Sequence, residues 1–495
     1  MIVFVILFVS CVFTVYLYLT RNFNYWKDRG IFYLKPTPFV GNLGPIFTSK
    51  YSIGDFLRKI YEEHENEPYI GIFLVDKPCL VVRDFDLVNR IFKQDFNYFG
   101  QRILTISKKT DTFGSKALFS IHGKEWKNTR AKLSPVFTSK KQRAVFEAML
   151  RVADKFENKI TKEKTIDIKE ISSCFTSDII SHAVFRKNGR AIEEPKTDGM
   201  RKLGNRLFEE SINQGLRSNM LFLAPELMDV LNISLFPASI YSYIKEEVGT
   251  AVAKGSAGME GDYIDSLVDL RNKGGWEGND GEIIEPNDEV LVGHMFMFYT
   301  AGFETVTSGV TFAFLEAAKN PDIQFKLKEE IKDVYAKHGG ELTFEGLNEM
   351  TYLTSFITEC LRKYPPFPFV DRKCTMDYTI PGTDIVIEKG TKIMIPMLGL
   401  QNDKNFYEDP DSIIPERFEN GKVDTDKPYF PFGTGPRQCL GMRFALLQLK
   451  ISVVACLRNH SISVNKATPT SLKMSPKRFG STPMEDVFLD ISRDD

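Results

Sequence analysis

The sequence predicts a single, mostly α (α+β) catalytic domain behind one N-terminal membrane-crossing helix. Three observations carry this: an uncharged opening stretch, a long series of apolar residues at three- and four-residue spacing, and only a few short alternating runs. Composition agrees, since 43% hydrophobic and 26% charged residues among 495 are globular texture and exclude disorder or a fibrous repeat. The 64 Lys and Arg nearly cancel the 65 Asp and Glu, so no global positive field favours a nucleic acid as partner. Forty Phe and 18 Tyr supply apolar surface for a sizeable core and for an apolar pocket inside it. The seven Cys, at 11, 79, 174, 360, 374, 439 and 456, share no short repeated spacing, which argues against a disulfide framework or a zinc site and for a reducing compartment.

From Met1 to Thr20 no side chain is charged, and a helix of that length at ~1.5 Å per residue crosses a hydrocarbon layer of roughly 30 Å. Arg21, Lys27, Arg29 and Lys35 follow with only Asp28 opposing them, which keeps the rest of the chain on the cytosolic side. The basic start and small-residue cleavage site of a secretory signal are missing. Residues 1–20 are therefore expected to be an anchor, 21–42 a basic, Pro-rich linker, and 43–495 the catalytic body. Within the linker, Lys35-Pro36-Thr37-Pro38-Phe39-Val40-Gly41-Asn42 reads as a stiff, non-helical connector.

Behind the linker, helical spacing runs through 52–64, 140–160, 172–186, 200–217, 288–319, 321–337, 351–363 and 442–458, and strands are expected at 69–75, 78–83 and 384–395. Seven Gly between 255 and 281, without the Lys-Ser/Thr of a phosphate loop, predict a flexible surface connection. Leu221 to Pro225 and Leu231 to Pro237 form an apolar stretch expected to touch the membrane a second time. The run from Asp288 to Lys319 lacks Pro, begins at Asn287 or Asp288, stops before Asn320-Pro321 and is apolar almost all round. Such a helix is buried and passes through the whole body, so the polar groups at its centre need a reason. Gly302 is expected to let a flat ligand approach the backbone, and Glu304 and Thr305 to handle protons. The alternative for a helix Thr is a bond back to its own backbone.

Phe432-Gly433-Thr434-Gly435-Pro436-Arg437-Gln438-Cys439-Leu440-Gly441 places a cysteine at the end of a tight turn, just before a helix. Helix N-terminal amides and Arg437 would stabilise a thiolate there, and a thiolate can ligate haem iron. Gly435 and Gly441 would let a porphyrin lie close. Elsewhere Glu359 and Arg362 lie three apart, Pro415-Glu416-Arg417-Phe418 follows, and Trp126 and Arg130 share a helix face from which both could meet a carboxylate.

Along the chain the five segments run Trp126 with Arg130, Ala301 to Thr305, Glu359 with Arg362, Pro415 to Phe418 and Phe432 to Gly441, and in that order they resemble the cytochrome P-450 family of haem-thiolate monooxygenases, from the anchor to the C-terminal strands. The texture of Tyr33 to Pro38 and of Tyr429 to Gly433 is most similar to microsomal members from insects. The resemblance implies the cytochrome P-450 fold, with haem b between the central helix and the Cys439 loop. It implies Cys439 as the iron ligand, and Trp126, Arg130, Arg372 and Arg437 on the haem propionates, with Ala301, Phe432 and Gly441 also against the haem. Thr305 and Glu304 would organise protons for oxygen activation, and Glu359, Arg362 and Arg417 would form a structural network behind the haem. Phe113, Phe119, Phe296, Phe298, Phe303, Phe367, Phe369 and Val370 are expected to line the substrate pocket.

The implied reaction inserts one oxygen atom of O2 into a lipophilic molecule, xenobiotic or endogenous. Electrons would come from NADPH through a separate NADPH-cytochrome P-450 reductase, with cytochrome b5 as a second donor, on the cytosolic face of the endoplasmic reticulum. No nucleotide fingerprint lies in the chain, in keeping with an external donor. Lys127, Lys132, Lys140, Lys141 and Arg143 would face the acidic reductase. Two positions depart from the family pattern: Val306, where many relatives have Thr or Ser, and Ser412-Ile413-Ile414 before Pro415. The rival readings are an O2-independent haem-thiolate isomerase or dehydratase and a membrane-tethered haem or lipid carrier.

Overall fold

The computed structural model describes residues 1–253 and 263–494. Ile2–Thr20 is one helix, long and apolar enough to cross a membrane, exposed except at its end, where Leu19 packs partly against the body. The Thr14 and Thr20 hydroxyls donate to Ser10 O and Tyr16 O, both at 2.8 Å, so these polar groups are met inside the helix.

The segment expected as a linker is part of the body. Trp26 is buried and its indole donates to Ile72 O at 3.0 Å, while Asn42 Oδ1 accepts the Phe73 N–H at 2.7 Å. Gly71 has to be glycine, because a Cβ there would stand 2.4 Å from the Trp26 ring. The boundary expected at residue 43 therefore moves back to about the end of the anchor, since burying Trp26 outweighs the stiffness of the two prolines.

The main sheet has the order Tyr69–Leu74, Lys77–Val82, Lys392–Ile395, Val370–Lys373, with the middle pair parallel and the outer pairs antiparallel. The single strand expected over 384–395 is two: Val386–Ile387 pairs with Tyr378–Thr379 in a separate hairpin, and Gly390 turns the chain at φ +95° before Lys392–Ile395. Alternation alone could not show that the chain reverses there.

Helices appear as Ile53–Glu63, Ser139–Ile160, Ile168–Phe185, Pro321–Lys337, Thr351–Lys363 and Met442–Leu457. The helix expected over 200–217 breaks into Gly199–Leu207 and Ile212–Leu223, where the Ser211 hydroxyl caps the second by accepting the Gln214 N–H. The Gly-rich stretch is not one surface connection. Tyr263–Asn272 is a helix with Tyr263, Ile264, Leu267 and Leu270 buried, and Trp276–Glu277 pairs with Ile283–Ile284. The Trp276 indole donates to the Thr129 hydroxyl at 2.8 Å; the rest of the expectation falls on 254–262, outside the described residues.

The central helix spans Asp288–Lys319, capped by Asn287, whose Oδ1 accepts the Val290 N–H at 3.1 Å. Most of its residues are buried. It packs along Ile168–Phe185, and at Gly309 it meets Leu449 of Met442–Leu457 so closely that a Cβ would stand 2.9 Å from the leucine. The helix following Cys439 is thereby locked against the middle of the chain.

Candidate active site

The Cys439 loop closes on itself through the Cys439 N–H, which donates to Phe432 O at 2.8 Å. Gly433 and Gly435 take φ of +66° and +70°, the left-handed values that such a turn needs. Gly435 is also forced by packing, since a Cβ would lie 2.0 Å from Phe92 O. That corrects its expected part: it fastens the loop to the segment around Phe92, whereas Gly441 remains open, with Phe137 nearest at 3.8 Å. Burial pushes the Cys439 thiol up, opposed by the Gly441 N–H and by the charges of Arg130 and Arg102. The side chain nevertheless keeps open surface, so it lines a space inside the body. Arg437 is not the residue that supports the sulfur. Its Nε donates to Gly100 O at 2.7 Å and its Nη2 to Ile121 O at 3.2 Å, over the Trp126 ring at 4.2 Å.

Four guanidiniums gather beside this loop. Arg130 Nη2 donates to Gln438 O at 2.7 Å, tying the Gly123–Leu133 helix to the residue before the cysteine. Arg372 and Arg437 are buried, and Arg102, which sequence reasoning missed, pairs with Asp371 at 3.0 Å. Burial, then the like charges of Arg102 and Arg372, brings Arg437 down to about 8, and burial with Arg102 brings Arg372 down to about 9. Asp371 goes the other way, held below the usual carboxylate range by Arg102 and Arg372 in spite of burial. The Arg102 and Arg372 Nε atoms have no hydrogen-bond partner among the described residues. One carboxylate facing four cations leaves the group short of negative charge, and two propionates are the anions that forked guanidiniums suit. The residues present fit a haem: a lone open thiol on one side and an under-neutralised cationic cradle beside it.

On the central helix, Ala301 is exposed between the half-buried Thr300 and Gly302, with Tyr299 and Phe303 buried on either side, and so lines an internal space. Thr305, one turn on, donates its hydroxyl to Ala301 O at 2.6 Å, the back-bonded arrangement, which leaves the Oγ1 lone pairs free to accept. Two expectations are corrected here. Gly302 faces the neighbouring helix, where a Cβ would stand 3.3 Å from Ile180 Cδ1, so its smallness serves helix packing. Glu304 does not point its carboxylate to the site. It is buried, paired with Arg478 and accepting from the Thr482 hydroxyl at 2.7 Å, because an ionised carboxylate needs these partners in the interior.

The eight residues expected to line the pocket do not form one wall. Phe119, Phe367 and Phe369 join Phe222 and Phe479, which sequence reasoning missed, with ring centroids 5.1 to 6.5 Å apart. Arg102 lies over the Phe119 ring at 4.1 Å, so this aromatic cluster starts where the cationic cradle ends. Phe113 and Phe296 pack on Tyr241, Phe303 stacks between Tyr299 and Phe208, and Phe298 packs on Phe137. Val370 belongs to the core under the main sheet. Helical spacing cannot say which neighbour an aromatic meets, and that choice removes these five from the cluster.

Glu359, Arg362 and Arg417 form a buried network. Arg362 donates to Glu359 through Nε at 2.8 Å and Nη2 at 2.9 Å, and Arg417 Nε lies 3.3 Å from Glu359 Oε1. The departure at Ser412-Ile413-Ile414 is absorbed by backbone: Ser412 O accepts from Arg362, and the Ile414 N–H donates to Glu359 at 3.1 Å. The Ile413 side chain is buried in the core. Gln401 extends the network toward the cysteine loop, donating to Arg362 O and accepting the Phe430 N–H.

Fold and site together define a class, the haem-thiolate proteins. A profile of the family described as Cytochrome P450 matches residues 33–488. Similar proteins include Cytochrome P450 6l1 of Blattella germanica, 32% identical over 97% of this chain and 95% of the relative, and Cytochrome P450 6j1 of the same insect, 33% identical over 98% and 97%. Cytochrome P450 6B1 of Papilio polyxenes is 33% identical over 96% of both chains. The chain belongs to the cytochrome P450 family and is a monooxygenase of that family, as the motif order implied.

Proposed function

We propose that the enzyme inserts one oxygen atom of O2 into lipophilic small molecules, with electrons drawn from NADPH through a separate flavin reductase. The observation that carries this is Arg102 over Phe119, which joins an apolar aromatic cluster directly to the cationic cradle of the cofactor. When bound, the haem supplies oxygen activation at its iron. Cys439 would hold the metal; Trp126, Arg130, Arg372 and Arg437, with Arg102, would receive the propionates; Ala301 and Phe432 would border the ring. Thr305 holds a proton at Oγ1 on the central helix, and Glu304, kept by Arg478, steadies the turn beside it. Phe119, Phe222, Phe367, Phe369 and Phe479 exclude water and select apolar substrates.

Membrane attachment rests on the exposed helix Ile2–Thr20. The second contact is narrower than the sequence implies, because Leu221 to Pro225 are buried; Val230 and Leu231, at 79% and 60% exposure, remain to meet a bilayer on the cytosolic face of the endoplasmic reticulum. For the reductase, and for cytochrome b5, Lys127 and Lys132 on Gly123–Leu133 and Lys140 on Ser139–Ile160 are exposed, Lys141 is half-buried, and Arg143 is already paired with Glu345.

The test is a reconstitution of the full chain with reductase, NADPH and a lipophilic library. Product formation should require O2 and NADPH, and isomerised product without either would overturn the oxygen-insertion reading. Reduced wild-type protein under carbon monoxide should give the thiolate-type Soret band, and Cys439→His should lose it. A thiolate-type band in that variant would assign the ligand to another cysteine.

A further inference from the structure

The helix that carries Trp126 and Arg130 starts without a cap of its own. Its N-cap position is held by His122, whose side chain makes no capping bond, and the first N–H groups of a helix have no partner inside it. The partner comes from 155 positions further along the chain. Asn279 Oδ1 accepts the Lys124 N–H at 3.0 Å and the Glu125 N–H at 3.2 Å, and Asn279 Nδ2 donates to His122 O at 3.3 Å. Bonds to the second and third amides are the ones that a cap residue ordinarily makes to its own helix. Gly123 leaves room for this foreign cap, since it takes φ +62° and a Cβ there would stand 2.7 Å from Asn279 Oδ1.

Asn279 is aimed by its own turn. Asp280 and Gly281 take φ of +54° and +78°, the left-handed pair of a primed hairpin turn, and the Glu282 N–H closes on Asn279 O at 3.0 Å. Asp-Gly is a residue pair that such turns prefer. The turn joins Trp276–Glu277 to Ile283–Ile284, and this hairpin grips the helix further along as well. Asn128 Nδ2 donates to Glu277 O at 2.7 Å, Lys124 pairs with the Glu277 carboxylate, and the buried Trp276 indole donates to Thr129 Oγ1 at 2.8 Å. These bonds fall on Lys124, Glu125, Asn128 and Thr129. Trp126 and Arg130, four apart, are left on a different face to meet Arg437 and Gln438 O.

We propose that the 276–284 hairpin is a brace for the cofactor, with Asn279 and Trp276 as positioning residues that act through Gly123–Leu133 to hold Trp126 and Arg130 at the haem propionates. The inference rests on the haem reading above. Haem can leave only when Trp126 and Arg130 let go, and a helix whose first turn is uncapped opens more often at that end. A cap brought from outside the helix therefore slows the loss of haem without touching it.

The experiment measures haem transfer from the full-length holoenzyme to excess apomyoglobin, followed by the Soret change, together with amide hydrogen exchange. The proteins are wild type, Asn279→Leu, Trp276→Phe and the double variant Asn279→Asp with Glu125→Gln. Asn279→Leu loses the cap and should release haem roughly tenfold faster. Trp276→Phe keeps a buried ring, loses one hydrogen bond and should release about fivefold faster. The double variant exchanges amide and carboxylate across the 3.4 Å contact between Asn279 Nδ2 and Glu125 Oε2, keeps an oxygen for the two N–H groups and should stay within about twofold of wild type. In Asn279→Leu, exchange should quicken over Gly123–Leu133 and keep the wild-type rate over Thr351–Lys363. Release from Asn279→Leu at the wild-type rate would overturn the inference, as would exchange quickened in both helices, the mark of a merely structural loss. Fast release from the double variant would remove Asn279 as the cap. Should Asn279→Leu fail to fold, wild-type release from Trp276→Phe would overturn the brace. A wild-type protein that takes up no haem would overturn the cofactor reading together with this one, whereas haem-bound wild type beside unchanged variants would overturn this one alone.

Discussion

Arg478 Nη1 lies 2.8 and 2.9 Å from the two carboxylate oxygens of Glu304, clamping the central helix at the residue next to Thr305. The same guanidinium reaches Glu210 at 3.1 Å, in the break between Gly199–Leu207 and Ile212–Leu223. One arginine from the C-terminal loop thus ties the segment between Gly199–Leu207 and Ile212–Leu223 to the central helix. Removing it leaves Glu304 charged and buried, so Arg478→Met should cost about 3–5 kcal/mol in urea unfolding. The pair Arg478→Met with Glu304→Gln should recover much of that loss. An unchanged midpoint for Arg478→Met would show that the clamp contributes nothing.

Thr305→Ala keeps the helix and removes the hydroxyl that bonds back to Ala301. Haem content should be unchanged, while product per NADPH falls and hydrogen peroxide rises, since a positioned proton-transfer group contributes about 10²–10⁴-fold to the step it serves. Measuring NADPH, peroxide and product in one assay decides it. A wild-type product ratio would leave the hydroxyl as no more than a helix bond.

Phe119→Ala and Phe369→Ala should each weaken the spin shift of apolar ligands, with apparent Kd raised about tenfold or more, because each deletes a ring from the cluster beside Arg102. Phe298→Ala, whose ring packs on Phe137, should leave ligand titrations near wild type. Equal effects at all three positions would contradict the separation of these rings.

Asp178 is buried on Ile168–Phe185, accepting the Ala191 N–H at 2.7 Å and the Ile192 N–H at 3.2 Å, and burial raises its carboxyl to about 6. A carboxyl raised in the folded state favours the protonated form, so its contribution is present below the unfolded value near 4 and is lost as pH rises through about 6. The loss over that window is on the order of 3 kcal/mol. Asp178→Asn keeps one oxygen acceptor, enough for the Ala191 N–H now taken by Oδ1, and should remove this part of the pH dependence. Chemical denaturation of both proteins between pH 4 and 7 checks it, and parallel curves would rule the titration out.

What the sequence by itself determined was everything that rests on local spacing. The anchor, the central helix from Asp288 to Lys319 and the order of the five motifs around Cys439 are written in neighbouring residues, and they were enough to name the family. The expected parts of Gly302, Gly435 and Glu304 failed for one physical reason: a helical period or a turn says which face a residue occupies, not what stands opposite. Only the tertiary structure decided that Gly302 meets Ile180 and that Glu304 meets Arg478. It also brought Arg102 to Asp371 and Phe222 to Phe369 across long stretches of chain, giving the cradle its fourth cation and the aromatic cluster its central ring. Such partners are chosen by packing and by the cost of an unpaired charge in the interior, and neither leaves a repeat in the linear order.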